Sequence, residues 1–221
     1  ARRARASSRS RDMRASTSAA PPRASWARRG ASARARAPRT RSAAGRDVTR
    51  RGLHRQPVAL GETLPMDVQV SYFDDDGNLV RCEFGDLLRG KTAVVFAVPG
   101  AFTPTCSTKH LPGYVERADA MRERGVDEVI CVSVNDAFVM NAWGNSAGAK
   151  MAKIKMVADG SAAWSKACGV DLDLHEQGMG TRSRRYALIA RDGVIEYLAM
   201  ESGQKYETSG AADILERLPL P

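Results

Sequence analysis

An α/β domain, with a central mixed sheet flanked by helices, opened by a β-hairpin and preceded by a long tail, is what the sequence predicts, on three observations. The first 55 residues hold no apolar run long enough to pack. Beyond them, short continuous apolar runs alternate with stretches of helical periodicity, the mark of β-α-β units and parallel strands. Two further segments read as paired strands around an Asp-Gly turn.

In chain order, MDVQVSYF (66–73) and LVRCEF (79–84) flank DDDGN and predict the opening hairpin. FGDLLRG reads as a short helical turn ended by Gly90, and TAVVFAV (92–98) has the length and composition of a buried central strand. Residues 104–124 carry Leu111, Tyr114, Val115, Ala118 and Met121 at helical spacing, with Pro112 and Gly113 implying a kink. DEVICVSV (127–134) is the next strand, DAFVMNAW (136–143) the next helix and KIKMVAD (153–159) a third strand. RRYALIA, RDG and VIEYLAM form a second hairpin, and AADILERL a terminal amphipathic helix. A β-α-β unit followed by a hairpin and a helix is the thioredoxin arrangement, here with an N-terminal hairpin extension.

The chain has 221 residues and a formal charge of +9, but that charge is unevenly placed. Residues 1–55 hold 17 Arg against two acids, Asp12 and Asp47, a net +15; the rest holds 17 basic and 23 acidic residues, a net −6. With 14 Ala and 8 Ser beside the arginines, the tail has no core to bury and is expected to be disordered. An Arg-rich, Ser-rich, acid-poor N-terminus describes an organelle transit peptide ahead of a folded domain at 56–221. The chain opens on Ala1, so its translated start is expected to lie upstream. Clustered Arg would also suit a nucleic-acid-binding arm, but Trp26 is the tail's only Phe, Tyr or Trp and no basic folded face adjoins it, which favours targeting. No stretch approaches the ~18 apolar residues of a membrane span.

Cys82, Cys106, Cys131 and Cys168 stand singly, and His54, His110 and His175 are scattered, a spacing that argues against metal binding. One of these thiols sits in an unusual turn. PGAFTPTCS (99–107) holds Cys106 behind a glycine and two prolines that restrict the backbone. Thr103 is placed as an N-cap and Pro104 as first helical residue, so Cys106 falls in the first turn of a helix at the C-terminal end of a strand. Free backbone N–H groups face that end, and open α/β sheets bind ligands there.

A free thiol ionises near pH ~8.5, and only the thiolate is nucleophilic. Lowering a thiol pKa by ~2 units takes roughly 2.7 kcal/mol, against ~0.3 to 1 from a helix N-terminus, so a reactive cysteine here needs a cation. Arg182, Arg184 and Arg185 lie together at the start of a predicted strand. Strand alternation sends Arg184 and Arg185 to opposite faces, so at most one of that pair faces the sulfur; a solvated rim is the bland alternative.

FAVPGAFTPTCSTKHLPGYVERADAM, VICVSVNDAFVMNAWG and RSRRYAL together resemble the type II (atypical 2-Cys) peroxiredoxins, especially plant and algal organellar members, over about residues 57–220. The resemblance implies that Cys106 is the peroxidatic cysteine, that Thr103 hydrogen-bonds thiolate and peroxide, that Pro99 shields the pocket and that Arg185, before Tyr186, is the pocket arginine. It implies a thiol-dependent peroxidase that turns hydrogen peroxide or an alkyl hydroperoxide into water or alcohol through a cysteine sulfenic acid, with no cofactor. Cys131, 25 residues on, matches the second, resolving cysteine, with thioredoxin, glutaredoxin or glutathione as reductant and the chloroplast, or alternatively the mitochondrion, as location.

Other readings stand beside it. Cys131 lies inside an apolar strand, where thiols are usually inert, and Cys82 and Cys168 read as structural. His110, four residues after Cys106, raises a Cys-His hydrolase, without an orienting acid in view. A redox-responsive binding protein without turnover is the main alternative class. Type II members often pair weakly, and Trp143 and Phe138 fit either a homodimer interface or the core.

Overall fold

The computed structural model describes residues 55–203 and 205–220. Residues 1–54 of the expected transit peptide lie outside the described residues. Within them the chain runs β1 (Gln69–Phe73), β2 (Leu79–Glu83), β3 (Thr92–Val98), a π-helical turn (Cys106–His110) leading into α1 (Leu111–Glu123), β4 (Glu128–Ser133), α2 (Ala137–Ser146) and β5 (Ile154–Ala158). It continues through α3 (Ala163–Ala167), β6 (Asp171–Leu174), β7 (Gly180–Ser183), β8 (Tyr186–Arg191), β9 (Val194–Met200) and α4 (Ala211–Arg217).

Seven strands form one sheet in the order β2-β1-β5-β4-β3-β8-β9. β3, β4 and β5 are parallel, while β8 joins β3, and β1 joins β5, antiparallel. The sheet is therefore mixed, parallel at its centre and flanked by the two predicted hairpins. In the first, Asp74 closes the turn by accepting from Asn78 N–H at 2.7 Å, and Gly77 takes a φ of +85° that favours glycine.

Strand alternation divides the core into two layers. Val94, Phe96 and Val98 of β3, with Val129 and Cys131 of β4, pack under Leu111 and Tyr114 of α1, Met140 and Trp143 of α2 and Ile214 of α4. Ala93, Val95 and Ala97, with Ile130 and Val132, pack on the other face against Phe84, Trp164 and Tyr186. Both faces of the central strands are covered, which is why β3 is a continuous apolar run and every one of its residues is buried.

Two expectations change, and two elements are added. The helix after β3 carries its irregularity one turn before the expected Pro112–Gly113 kink: Leu111 N–H donates to Cys106 O, an i to i+5 bond. Pro112 has no N–H to give and its ring crowds the carbonyl four residues back, and a widened turn just ahead of it relieves that conflict. α3 and the β6-β7 hairpin carry weak sequence signals. α3 is capped from outside, Asp159 accepting from Trp164 N–H at 3.0 Å and from Ser165 N–H at 2.9 Å, with Ala162 at a φ of +56° between them. Finally, Arg182 lies on β7, whereas Arg184 and Arg185 lie between β7 and β8, so the three do not begin one strand.

Candidate active site

The site is built where β3 ends. Pro99 and Gly100 are buried directly after the strand, and the chain reverses through Ala101 and Phe102. Asn135, just past the neighbouring β4, pins this reversal by accepting from Ala101 N–H at 2.9 Å and from Ser133 Oγ at 2.8 Å. Phe102 holds a φ of +60°, a left-handed conformation that costs a non-glycine residue about 1–2 kcal/mol. A Cβ on Gly100 would stand 3.1 Å from Thr103 Cγ2 and 3.3 Å from Arg182 Nη1, so a side chain there would push these neighbours by a few tenths of an ångström.

Thr103 starts the helix through its backbone, its carbonyl accepting from Ser107 N–H at 3.0 Å. Its hydroxyl does not cap the helix. It donates to Gly100 O at 2.9 Å, so its single proton is engaged and its lone pairs can accept from a bound O–H group. With Pro104 lacking an N–H, the first-turn amides of Thr105 and Cys106 are those without an intrahelical acceptor.

Cys106 is fully buried, and both Nη1 and Nη2 of Arg185 lie 3.5 Å from its sulfur. Arg185 is itself only 3% exposed. Its neighbours point elsewhere: Arg184 Nη1 lies 3.3 Å from Met200 Sδ, and Arg182 donates to Met179 O at 2.8 Å and Val134 O at 3.1 Å. One arginine of the three faces the sulfur, and none belongs to a merely solvated rim.

Behind Arg185 stands a set of groups that the sequence does not announce. Arg185 Nη1 also donates to His110 Nδ1 at 3.0 Å, and His110 Nε2 donates to Ser209 O at 3.0 Å. Tyr114 OH shares that carbonyl at 2.9 Å. Burial, then the Arg185 charge, push His110 down to about 3, so the imidazole is neutral. A hydrolase histidine must take a proton from the thiol, and this ring has both nitrogens engaged by other partners; the structure offers that reading no support.

Glu201, just past β9, holds the segment that carries Ser209. Its Oε1 accepts from the backbone N–H groups of Glu207, Thr208 and Ser209 and from Ser209 Oγ, at 2.8–2.9 Å. Burial alone would raise the Glu201 carboxyl, but those donors hold it down to about 2. Glu201 N–H donates in turn to Arg185 O at 3.0 Å.

Cys131 sits on β4 between Phe96 and Met156, fully buried, in the same core layer as Cys106. Burial, and next the nearby Cys106, push its thiol well up, so it is protonated. All four cysteines are free thiols; Cys82 is half-buried and Cys168 buried. Trp143 belongs to the core and donates to Ser107 Oγ at 3.0 Å, whereas Phe138 is 67% exposed.

Residues 59–215 match the family model described as Redoxin. The chain is 49% identical over 164 residues to "Peroxiredoxin-2E-2, chloroplastic" of Oryza sativa subsp. japonica, covering 73% of this chain and 72% of that one. It is 45% identical over 162 residues to "Peroxiredoxin-2B" of Arabidopsis thaliana, covering 73% of this chain and 99% of the other. Among solved structures, reduced Prx3 of Vibrio vulnificus in complex with hydrogen peroxide is 46% identical, with a TM-score of 0.69 over 73% of this chain and 99% of that one.

The Glu201 anchor generates a pH prediction. Its carboxyl binds fewer protons folded than unfolded, so stability falls as pH falls: the contribution is complete above about pH 4.5 and is lost as pH drops through about 2. A shift of this size is worth about 3 kcal/mol, of which about 2 is gone by pH 3. Urea unfolding at pH 6 and pH 3 should show the parent losing that much more stability than Glu201→Gln; equal losses in the two proteins would mean that Glu201 is not an ionised anchor.

Proposed function

The chain belongs to the redoxin family, among the type II peroxiredoxins of plants, and is a thiol-dependent peroxidase; from that premise we propose that Cys106 is its peroxidatic nucleophile and Arg185 the cation that serves it. The observation that carries this reading is the placement of both terminal nitrogens of one buried arginine at 3.5 Å from a buried sulfur. The Cys106 thiolate attacks the terminal oxygen of hydrogen peroxide or an alkyl hydroperoxide. An S–O bond forms, the O–O bond breaks, and the electron pair leaves on the departing oxygen, which takes a proton to become water or alcohol. Arg185 stabilises the sulfur anion beforehand and the developing oxyanion during the step. The Thr103 hydroxyl, with its proton on Gly100 O, accepts the hydroperoxide's proton-bearing end and so orients it. Pro99, buried at the base of the turn, keeps water from the pocket.

Cys131 is proposed as the resolving thiol, condensing with the sulfenic acid to give a disulfide and water. Thioredoxin, or glutaredoxin with glutathione, then supplies two electrons to restore both thiols. Cys131 is fully buried in β4 and Cys106 is fully buried in the turn, so residues 104–110 are proposed to open locally for the disulfide to form. Phe138, exposed and edge-on to Phe73 at 5.5 Å, is the proposed face of a weak homodimer. Residues 1–55 are proposed as a transit peptide, and the rice relative's chloroplastic name favours the plastid over the mitochondrion.

Three experiments test these assignments. Cys106→Ser should abolish peroxide consumption with a thiol reductant without loss of fold, and Arg185→Gln should slow the peroxide step about 10²-fold; activity within about tenfold of the parent in the first, or Arg182 or Arg184 proving the sensitive position, defeats the assignment. Peptide mapping after one equivalent of peroxide should find a Cys106–Cys131 disulfide, with faster hydrogen exchange over residues 104–110. A stable Cys106 sulfenic acid beside a free Cys131 would make the enzyme functionally one-cysteine. Removing residues 1–55 should leave peroxidase rate and melting temperature unchanged while abolishing plastid import, and salt-sensitive nucleic-acid binding with import intact would instead support a basic arm.

A further inference from the structure

His110 is fully buried, packed among Phe96, Tyr114 and Tyr206 at ring separations of 5.1–5.5 Å. An apolar ring would fill such a place without a polar cost, so the imidazole calls for an explanation in its hydrogen bonds. These are fully determined. Arg185 Nη1 can only donate, so Nδ1 is the unprotonated nitrogen; the Ser209 carbonyl can only accept, so Nε2 carries the hydrogen. The tautomer is thus set by a carbonyl whose own place is set by Glu201, which gathers the N–H groups of residues 207, 208 and 209.

Arg185 needs such an aid. Its guanidinium reaches the sulfur at the end of a flexible side chain, and its Nε has no partner among the described residues. The face of Tyr206, 6.0 Å from Cζ, attracts the cation but fixes no angle. A carboxylate at position 110 would orient the guanidinium but neutralise the charge that the sulfur and the departing oxygen require. A neutral lone pair orients it and leaves the charge intact.

We infer that His110 is a positioning residue for the peroxide reaction: held in its Nε2–H tautomer by the segment that Glu201 anchors, it directs Arg185 onto the Cys106 sulfur through Nδ1. The inference rests on the role of Arg185 proposed above. The charged and titratable groups around the ring are Arg185 beside it, Glu201 behind the 207–209 segment, Tyr114 and Tyr206, and Cys106 across the guanidinium.

The test compares two substitutions whose packing and hydrogen-bonding consequences oppose each other. In the full chain, His110→Phe keeps the aromatic packing and removes the acceptor, while His110→Asn shrinks the side chain but keeps an acceptor near the position of Nδ1. The readouts are the second-order rate constant for hydrogen peroxide in a single turnover and the melting temperature. His110→Phe should lower the rate constant at least about tenfold with little loss of melting temperature, whereas His110→Asn should stay within about threefold of the parent despite a lower melting temperature. The reverse order, Phe fast and Asn slow, would show that the ring acts by packing alone and overturn the inference.

In an Arg185→Gln background His110→Phe should cost nothing further, because the residue acts through Arg185. An equal loss in both backgrounds would overturn it even with Arg185 catalytic, and insensitivity to Arg185→Gln itself would bring down the underlying assignment first. Should His110→Phe fail to fold, nitrogen-15 spectra of the parent decide: a single neutral Nε2–H imidazole is expected, and an Nδ1–H tautomer or a charged ring at neutral pH overturns the inference.

Discussion

Arg185 carries its charge inside the protein with no carboxylate among the described residues accepting from its guanidinium, and the rest of the site depends on that constraint. Removing an ion from water costs several kcal/mol, ordinarily recovered through a carboxylate partner. Among the described residues Arg185 makes no salt bridge; its guanidinium meets a thiol sulfur, an imidazole lone pair and the face of a tyrosine. The nearest acidic group acting on this region, Glu201, is committed to three backbone amides and a hydroxyl. A buried cation so surrounded lowers the energy of any negative charge formed beside it. In the proposed peroxide step the thiolate and the developing oxyanion are such charges, and a counter-carboxylate would cancel the effect.

The geometry that makes this affordable comes from the sheet. β3, β4 and β8 are buried neighbours, so the turn after β3, the residues after β4 and the residues before β8 all emerge at one end of it. From β3 comes the tight turn with Cys106, from β4 Asn135 to pin that turn, and from the approach to β8 Arg185. β9, antiparallel to β8, finishes at the same end and brings Glu201 opposite Arg185. Strain at Phe102 is tolerable there because bonds on either side, Ala101 N–H to Asn135 and Ser107 N–H to Thr103 O, determine the path of the chain.

Legibility in the sequence followed locality. The buried strands are local runs, and both hairpins carry their Asp-Gly turns, so the architecture can be read directly. The Cys106 turn is announced by its glycine and prolines. Strand alternation could not choose Arg185 over Arg182 and Arg184, because Arg184 and Arg185 lie between two strands and Arg182 lies on β7; family resemblance alone distinguished them. α3 escaped because its capping carboxylate, Asp159, precedes the helix by more than the usual spacing. The Glu201 anchor gave no signal at all: a glutamate at a strand end before Ser-Gly reads as an ordinary turn, and its partners are backbone groups that no sequence pattern marks.

The segment that aims the sulfur is held largely by polar bonds, which bears on how a thiol in β4 could reach it. Ahead of Leu111 the chain is held by the π turn, by Trp143 donating to Ser107, by the Arg185 bonds to sulfur and by the buried His110 between Arg185 and Ser209 O, each polar bond contributing on the order of 1 kcal/mol. From Leu111 onward, Leu111, Tyr114, Ala118 and Met121 are fully buried, and each large side chain among them contributes about 1.5–3 kcal/mol. In the proposed disulfide step the opening is therefore expected to stop at Leu111. In the proposed reaction an oxygen added to the Cys106 sulfur, which has no exposure, has to find room on the near side of that boundary, at about 1–3 kcal/mol for an overpacked site.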